Sequence, residues 1–222
     1  MSTLSPPIIR RRQADISSAL QNAALPEVLK RVYASRGITD PGQLALGLAQ
    51  LLPPASLKGV SDAAELLAAA IEGEARVLIV GDFDADGATS CAMAVSVLQQ
   101  MGLQEVAYLI PNRFEFGYGL TPEIVEMAAA QMPDLIVTVD NGISSMEGVL
   151  AAQVLGISVL ITDHHLPGDL LPTADVIVNP NQPECQFPSK SLAGVGVTFY
   201  VLSAVRAALR ERGWFSSEGI EE

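Results

Sequence analysis

The sequence predicts an α/β fold in which a mainly parallel, Rossmann-like sheet is flanked by helices and preceded by a helical N-terminal segment. Two observations lead to this fold class. From residue 75 onward, short runs of valine, isoleucine and leucine recur without polar alternation, which is typical of strands buried on both faces of a parallel sheet. Between these runs, apolar residues fall at three- and four-residue spacing, as in helices that cover a sheet.

The first 70 residues carry only the helical spacing. We therefore predict a helical N-terminal segment at 1–70 and an α/β domain at 71–222. Apolar residues recur at helical spacing in 15–20 and 26–33, the prolines in 51–54 interrupt the pattern, and 61–65 begins an alanine-rich helix.

The α/β part is predicted to alternate strands and helices. Strands are expected near 76–81, 105–110, 135–139, 157–162 and 175–178. Helices are expected near 88–101, 121–131, 144–155 and 195–212. The connection at 179–193 contains three prolines, and loops of this length inside a compact domain tend to be functional.

Charge and composition exclude several classes of protein. The formal net charge is −12, from 13 basic and 25 acidic residues, so the chain lacks the basic surface of a general nucleic-acid binder. No run of about 18 apolar residues predicts a membrane span. Residues 1–12 contain three arginines but no apolar core, so they do not resemble a secretory signal. Cys91 and Cys185 have no CxxC partner, which favours a cytoplasmic protein over a disulfide framework or a thiolate zinc site.

Three acidic clusters directly follow predicted strands. Asp82, Asp84 and Asp86 follow the first strand, Asp140 follows the third, and Asp163-His164-His165 follows the fourth. Ligands of open parallel sheets bind beyond the carboxyl ends of the strands, so these side chains are expected to converge. Carboxylates suit Mg²⁺ and Mn²⁺, and imidazole favours Mn²⁺. The pattern predicts a two-metal site for phosphoester chemistry, with Asp140 as the candidate bridging ligand.

Each acidic residue also has a simpler interpretation. An aspartate between a strand and a helix is often an N-cap, and this interpretation has about equal weight for Asp140. It is weaker for Asp82, Asp84 and Asp86, since a single cap needs one carboxylate and three crowded carboxylates repel one another. His164 and His165 are the only histidines of the chain and are adjacent, which favours ligand and supporting roles. The first strand ends in acidic sequence and not in GxGxxG, so a dinucleotide-binding site is excluded.

The segments Asp82-Phe83-Asp84-Ala85-Asp86-Gly87, Val139-Asp140-Asn141-Gly142 and Asp163-His164-His165 resemble motifs I, II and III of the DHH phosphoesterase superfamily. The resemblance extends over nearly the whole chain. It implies that Asp84 and Asp140 hold one Mn²⁺ or Mg²⁺ ion and that Asp86, Asp140 and His164 hold a second. It further implies that Asp82 and His165 position ligands or water, while Asp163 supports the histidines.

Two other segments narrow the resemblance to bacterial exonucleases specific for single-stranded DNA. They are Pro111-Asn112-Arg113-Phe114-Glu115 with Gly117-Tyr118-Gly119-Leu120, and the sequence from Pro188 to Val197. Phe116 departs from the acidic or polar residue expected before Gly117. The resemblance implies substrate-binding roles for Arg113, Tyr118, Lys190 and Ser191, with Arg113 on a phosphate and Tyr118 or Phe114 against bases. A solvated loop arginine and packed loop aromatics are the competing interpretations.

The resemblance implies a 5′-to-3′ exonuclease that releases mononucleotides from single-stranded DNA in repair and recombination. Its expected protein partners are single-strand binding protein and a repair helicase. No association with a membrane is expected. The superfamily's fourth acidic motif and C-terminal substrate-binding domain do not appear before residue 222, so we expect an incomplete catalytic fragment with weak or no activity. Two alternatives are a phosphodiesterase acting on short oligonucleotides, cyclic dinucleotides or pyrophosphate, and a non-catalytic nucleic-acid-binding scaffold.

Overall fold

The structure is a computed structural model that describes residues 13–45 and 47–221. The prediction that residues 1–12 form no secretory signal therefore lies outside the described residues. The chain divides into two compact units between Leu52 and Pro53. The domain boundary near residue 70 stays a prediction, and the helix at Val60–Glu72 belongs to the second unit.

The first unit contains short helices. Helices α1 (Ser18–Gln21) and α2 (Glu27–Ala34) are followed by 3₁₀ turns at Pro41–Leu44 and Leu48–Gln50. Lys30 is buried on α2, where its ammonium group donates to the Gln21 carbonyl at 2.7 Å and to Glu27 at 2.8 Å. These bonds satisfy a charge that would otherwise be costly to bury.

The second unit contains a five-stranded parallel sheet in the order β2-β1-β3-β4-β5. Its strands are β1 (Val77–Gly81), β2 (Val106–Leu109), β3 (Leu135–Val139), β4 (Ser158–Thr162) and β5 (Val176–Val178). Every residue of β1 and β3 is buried, as their uninterrupted apolar runs predict, whereas the edge strand β2 is partly exposed. The predicted fold class is confirmed.

Helices cover both faces of this sheet. Their bounds are α3 (Val60–Glu72), α4 (Ala85–Gln100), α5 (Arg113–Phe116), α6 (Pro122–Ala129), α7 (Met146–Val154), α8 (Gly194–Glu211) and α9 (Trp214–Glu218). Leu78 and Val80 pack in one apolar cluster with residues of α6 and α7. Because side chains alternate along a strand, Ile79 faces the other side, where α3, α4 and α8 pack together. Among the described residues, no helix has the length and apolar character needed to cross a bilayer.

Strand order determines where a site can form. Strands β1 and β3 are neighbours, but the helices that follow them, α4 and α7, lie on opposite faces of the sheet. A crevice therefore opens beyond the carboxyl ends of these two strands, at the point where the chain reverses its winding direction. Asp82 and Asp140 are the first residues after β1 and β3, respectively.

Candidate metal centre

Strand register brings the three acidic clusters to one edge of the sheet. Gly81 pairs with Val139, and Val139 pairs with Thr162, so the residues that follow these three positions leave the sheet side by side. Two sets of possible metal ligands result, Asp82 with Asp84 and Asp140, and Asp140 with His164 and His165. Within each set, one donor atom per residue lies within 4.8 Å of the others. Asp140 belongs to both sets, as expected of a bridging ligand.

Asp140 carries the clearest sign of a site for a cation. It is 2% exposed, and its Oδ1 atom has no hydrogen-bond partner in the described part of the chain. His164 Nε2 lies 3.0 Å from this oxygen but is not aligned to donate to it. Burial and the charges of Asp86 and Asp84 raise the pKa of Asp140 to about 7. A buried carboxylate without a donor, facing an imidazole nitrogen, fits a divalent cation held between them.

The backbone around Asp140 is strained and closely supported. Asp140 has a φ of +61°, which is uncommon outside glycine, and Gly142 has a φ of +115°. The buried Asn141 side chain donates to Val80 O at 3.1 Å and to Val139 O at 2.9 Å, which ties the turn to β1 and β3. Strain of this kind persists only where the surrounding structure enforces it, and it occurs most often at functional sites. Asp140 is not a helix cap, since α7 begins at Met146.

Asp84 is compatible with both interpretations of its sequence position, a helix cap and a metal ligand. It is the N-cap of α4, and its Oδ1 atom accepts hydrogen bonds of 3.0 Å from the amides of Asp86 and Gly87. A carboxylate has a second oxygen, so capping does not prevent Asp84 from binding a cation. The cap also explains why α4 begins three residues earlier than the predicted start at residue 88.

Asp86 lies in the centre but makes contacts that its sequence did not predict. Its Oδ2 accepts from Gly194 N at 2.8 Å and its Oδ1 accepts from Val195 N at 2.7 Å. These amides belong to the first turn of α8. His164 Nε2 is 3.6 Å from Asp86 Oδ2, so the carboxylate lies between the helix terminus and the predicted ligand. Its role as a metal ligand stays a prediction.

Asp163 is fully buried and supports the histidine pair. Its Oδ1 accepts from His164 N at 2.6 Å, His165 N at 3.0 Å and His165 Nδ1 at 2.7 Å, and its Oδ2 accepts from Ile143 N at 2.9 Å. Burial favours a higher pKa for Asp163, but the hydrogen bonds from His165 and Ile143 outweigh it and the net pKa is lowered. The same bond raises the pKa of His165. Asp163 thus fixes the ring orientation of His165, and its supporting role in a metal centre stays a prediction.

Two residues outside the predicted site complete this support. The Asn181 side chain donates to His164 O at 2.6 Å, and the fully buried Asn179 donates to His165 O at 3.0 Å. Both lie in the proline-containing loop 179–193, whose function is in part to hold the histidine backbone. The sequence signal was an Asn-Pro-Asn directly after β5, which is equally typical of an ordinary turn.

Arg113 and Tyr118 lie at the edge of the centre. Arg113 Nη2 is 2.5 Å from Asp82 Oδ2, and its guanidinium lies over the rings of Phe83 at 4.2 Å and Tyr118 at 5.1 Å. The Tyr118 hydroxyl donates to Asp140 O at 3.2 Å and is 3.1 Å from His165 Nδ1. Burial and the charges of Asp163, Asp140 and Asp82 raise the Tyr118 pKa. Phe114, by contrast, is 89% exposed.

The other two predicted substrate-binding residues lie in the loop. Lys190 donates to Pro180 O at 2.5 Å and to Cys185 O at 2.9 Å, so its ammonium group holds the loop together. Ser191 is exposed, two residues before the N-cap Ala193 of α8. Their contact with substrate stays a prediction.

A cleft of about 490 Å³ opens beside the histidines, between the N-terminal ends of α6 and α7. Its lining includes Tyr118, Asp163 and His165 from the centre, and Glu123 and Glu147 from the first turns of α6 and α7. The cleft is therefore continuous with the second ligand set, and it is large enough to admit part of a substrate.

The fold and the centre define an α/β domain with an acidic and histidine-containing site at the switch point of its sheet. Residues 76–218 match the family model described as "DHH family, N-terminal domain". The chain belongs to the DHH family.

Similar proteins were found in sequence and in structure. The single-stranded-DNA-specific exonuclease RecJ of Escherichia coli K12 is 52% identical over 212 residues, which is 96% of this chain and 37% of that protein. RecJ of Bacillus subtilis 168 is 35% identical over 206 residues, or 91% of this chain and 26% of that protein. A crystal structure of RecJ from Thermus thermophilus in complex with Mn²⁺ is 32% identical, with a TM-score of 0.67 over 87% of this chain and 26% of that one. The chain thus spans little more than a third of the E. coli relative.

Proposed function

We propose that this chain carries the metal centre of a cytoplasmic 5′-to-3′ exonuclease that hydrolyses single-stranded DNA to mononucleotides during repair and recombination. The observation that carries the proposal is the pair of ligand sets sharing Asp140, in a chain 52% identical to a single-stranded-DNA-specific exonuclease. Because the chain spans 37% of that relative, the activity of the whole protein is part of the proposal.

The ligand chemistry fits Mn²⁺ or Mg²⁺, the ions named for similar RecJ crystal structures. Asp84, Asp86, Asp140 and His164 are assigned as ligands, with Asp82 and His165 beside them. Bound ions would polarise the phosphodiester and lower the pKa of the attacking water. The unpartnered Oδ1 of Asp140 supports this assignment, since an ion would supply the partner that the described residues lack.

The chain's own residues have distinct tasks in this proposal. Asp163 holds the His165 ring through Nδ1, so that His165 keeps a fixed orientation toward the cleft. The Tyr118 hydroxyl supports Asp140 through its carbonyl and leaves the ring half-exposed for contact with a base. Arg113 supplies positive charge at the centre and is assigned to a substrate phosphate. Lys190 and Ser191 are assigned to the substrate path through the loop.

The proposal includes the expectation that the 222-residue chain alone has little activity. Its net charge of −12 provides no broad surface for DNA, and the longer relatives have sequence beyond the aligned part. Single-strand binding protein and a repair helicase are proposed as protein partners on the family resemblance alone.

The experiment that tests the function uses single-stranded DNA labelled at the 5′ or the 3′ end, incubated with Mn²⁺. The chain is assayed beside a version extended to the length of its relatives. We expect the extended protein to release the 5′ label as a mononucleotide from the start, and the chain alone to release it slowly or not at all. Intact DNA with the extended protein, but hydrolysis of short oligonucleotides or cyclic dinucleotides, would reassign the substrate. No hydrolysis of any of them would favour a scaffold.

Arg113 provides a second prediction. Replacing Arg113 with alanine in the extended protein is expected to raise the KM for 5′-phosphorylated DNA by about 10- to 100-fold, since it removes a charge-assisted hydrogen bond. Arg113→Lys should recover only part of the loss, because lysine cannot pair with a phosphate in bidentate fashion. KM and kcat are measured on DNA with and without the 5′ phosphate. An equal loss on both substrates would mean that Arg113 serves Asp82 and not the phosphate.

A further inference from the structure

We infer that the first turn of α8 is a positioning element for the metal centre, in which Gly194 and the amide of Val195 fix the places of Asp140 and Asp86. The inference rests on the proposed function only in requiring that the centre binds a divalent metal. It gives the segment Leu192-Ala193-Gly194-Val195-Gly196 a task that neither its composition nor its position in a loop-to-helix junction predicts.

Space is the first argument. A Cβ atom built on Gly194 would lie 2.5 Å from Asp140 Oδ1 and 2.8 Å from Asp140 Cβ and Cγ. Contacts this short, under 3.0 Å, require one partner to move. Gly194 is a helical residue without positive φ, so the backbone itself would accept alanine, and the neighbouring carboxylate is what excludes a side chain. The helix terminus thus forms one wall of the pocket that holds Asp140.

Asp140 cannot easily move away from such a side chain. Its backbone is held in the left-handed region by the turn at Asn141 and Gly142, and its amide donates to Thr162 O at 3.0 Å. The side chain is buried, with His164 Nε2 3.0 Å away on the ligand side. A methyl group at position 194 would therefore rotate the Asp140 carboxylate out of the position shared by the two ligand sets.

Hydrogen bonding is the second, independent argument. The N-cap of α8 is Ala193, which has no side chain able to accept from the first-turn amides. The two oxygens of Asp86 take this role, accepting from Gly194 N at 2.8 Å and from Val195 N at 2.7 Å. Asp86 lies 108 residues before Gly194 and 109 residues before Val195 in the sequence. The positive end of the helix dipole also favours a carboxylate there. The position of Asp86 in the centre thus depends on the position of α8.

The rest of α8 is fixed in the core, so its first turn has a fixed position relative to the sheet. Val197, Thr198 and Val201 are buried, and the Thr198 hydroxyl donates to Gly194 O at 3.2 Å. The helix packs against α3 and α4, and α4 carries Asp86 itself. A rigid support of this kind sets ligand geometry without contributing a ligand.

The test compares Gly194→Ala with Gly196→Ala, the same substitution two residues further along the same helix. A Cβ at Gly196 would meet only the Leu192 side chain, at 2.5 Å from Cδ1 and 2.9 Å from Cγ, and this partly exposed side chain can change its rotamer to move away. Mn²⁺ affinity is measured by titration calorimetry and by the electron paramagnetic resonance signal of free Mn²⁺. We expect Gly194→Ala to weaken Mn²⁺ binding about 10- to 100-fold. Gly196→Ala should bind as the unmodified chain does.

Equal Mn²⁺ affinity of the Gly194→Ala variant and the unmodified chain would overturn the inference while leaving the metal centre intact. An unmodified chain that binds no Mn²⁺ would instead overturn the metal centre, and the inference with it. If Gly194→Ala does not fold, Asp86→Ala tests the hydrogen bonds without adding volume. Amide hydrogen exchange at Gly194 and Val195 should then accelerate about fivefold, with no change at the far end of α8. Unchanged exchange at both amides would contradict the capping role.

Discussion

Replacing Asp140 with asparagine is expected to remove Mn²⁺ binding without unfolding the protein. Asparagine has nearly the same shape and tolerates the left-handed backbone that Asp140 adopts. The asparagine side chain lacks the negative charge with which the carboxylate would bind two ions. In the extended protein, losing several kcal/mol of charge stabilisation corresponds to a fall in hydrolysis of about a thousandfold. In the chain alone, the variant should lose the Mn²⁺-dependent stabilisation, which is about 2.7 kcal/mol when the ion is present at 100 times its Kd.

Without metal, the same substitution should leave the free energy of unfolding unchanged or raise it. The raised pKa of Asp140 means that the ionised carboxylate is less stable in the folded protein than in the unfolded chain, where water solvates it. Asparagine removes that cost. Urea unfolding with EDTA and with excess Mn²⁺ checks both parts, and Asp62→Asn, at an exposed position of α3, is the matched control. An Asp140→Asn variant that keeps its Mn²⁺-dependent stabilisation would contradict the bridging role.

The fold was predictable because strands that are buried on both faces are apolar at successive positions of the sequence. Val77 to Val80 and Leu135 to Val137 are apolar at successive positions, and a short run of this kind, rich in valine and isoleucine, is typical of a strand covered on both faces. Helix starts were less certain, since α4 begins where Asp84 caps it and not where the apolar spacing becomes clear. The single-turn helix α5 was missed because four residues are too few to show a period.

The centre was predictable only in part, for a physical reason. The carboxyl ends of parallel strands lie at one edge of the sheet, so the convergence of Asp82, Asp140 and Asp163 at that edge could be anticipated. The strand order that makes β1, β3 and β4 neighbours was not predicted, because a parallel sheet allows several orders. Hydrogen-bond partners are set by packing of distant segments. Asp86 bonds an amide 108 residues away, and no local pattern records that contact.

Lysine and asparagine in the loop 179–193 illustrate the same limit. The Lys190 ammonium group donates to two carbonyls of its own loop, which no local pattern in the sequence predicts, and its contact with substrate stays a prediction. Asn179 and Asn181 have the composition of a turn, yet their side chains hold the carbonyls of the histidine pair. Polar residues can satisfy either local or distant groups, and sequence alone does not distinguish these outcomes.

Replacing Asp163 with alanine is expected to cost about 3–5 kcal/mol of folding stability, even without metal. The buried carboxylate accepts from the amides of Ile143, His164 and His165 and from the His165 ring. Alanine leaves these donors without their acceptor, at about 1–3 kcal/mol for each buried group that stays unsatisfied. Such a loss is a large share of the roughly 5–15 kcal/mol typical of a domain. Urea unfolding in EDTA measures it, and Asp175→Ala, which removes one bond to Val159 N, should cost about 1 kcal/mol.

The pH dependence of this effect separates the charge of Asp163 from its shape. The folded-state pKa of Asp163 is lowered below the ordinary value of 3.8, so its ionised form adds stability that is fully present above about pH 4. That stability is lost as the pH falls through the lowered folded-state pKa. The difference in unfolding free energy between the unmodified chain and Asp163→Asn should therefore be largest near neutral pH and shrink below about pH 4. A difference that grows toward low pH would mean that the Asp163 carboxyl is neutral in the folded protein, and the histidine pair would then be held by a different arrangement of protons.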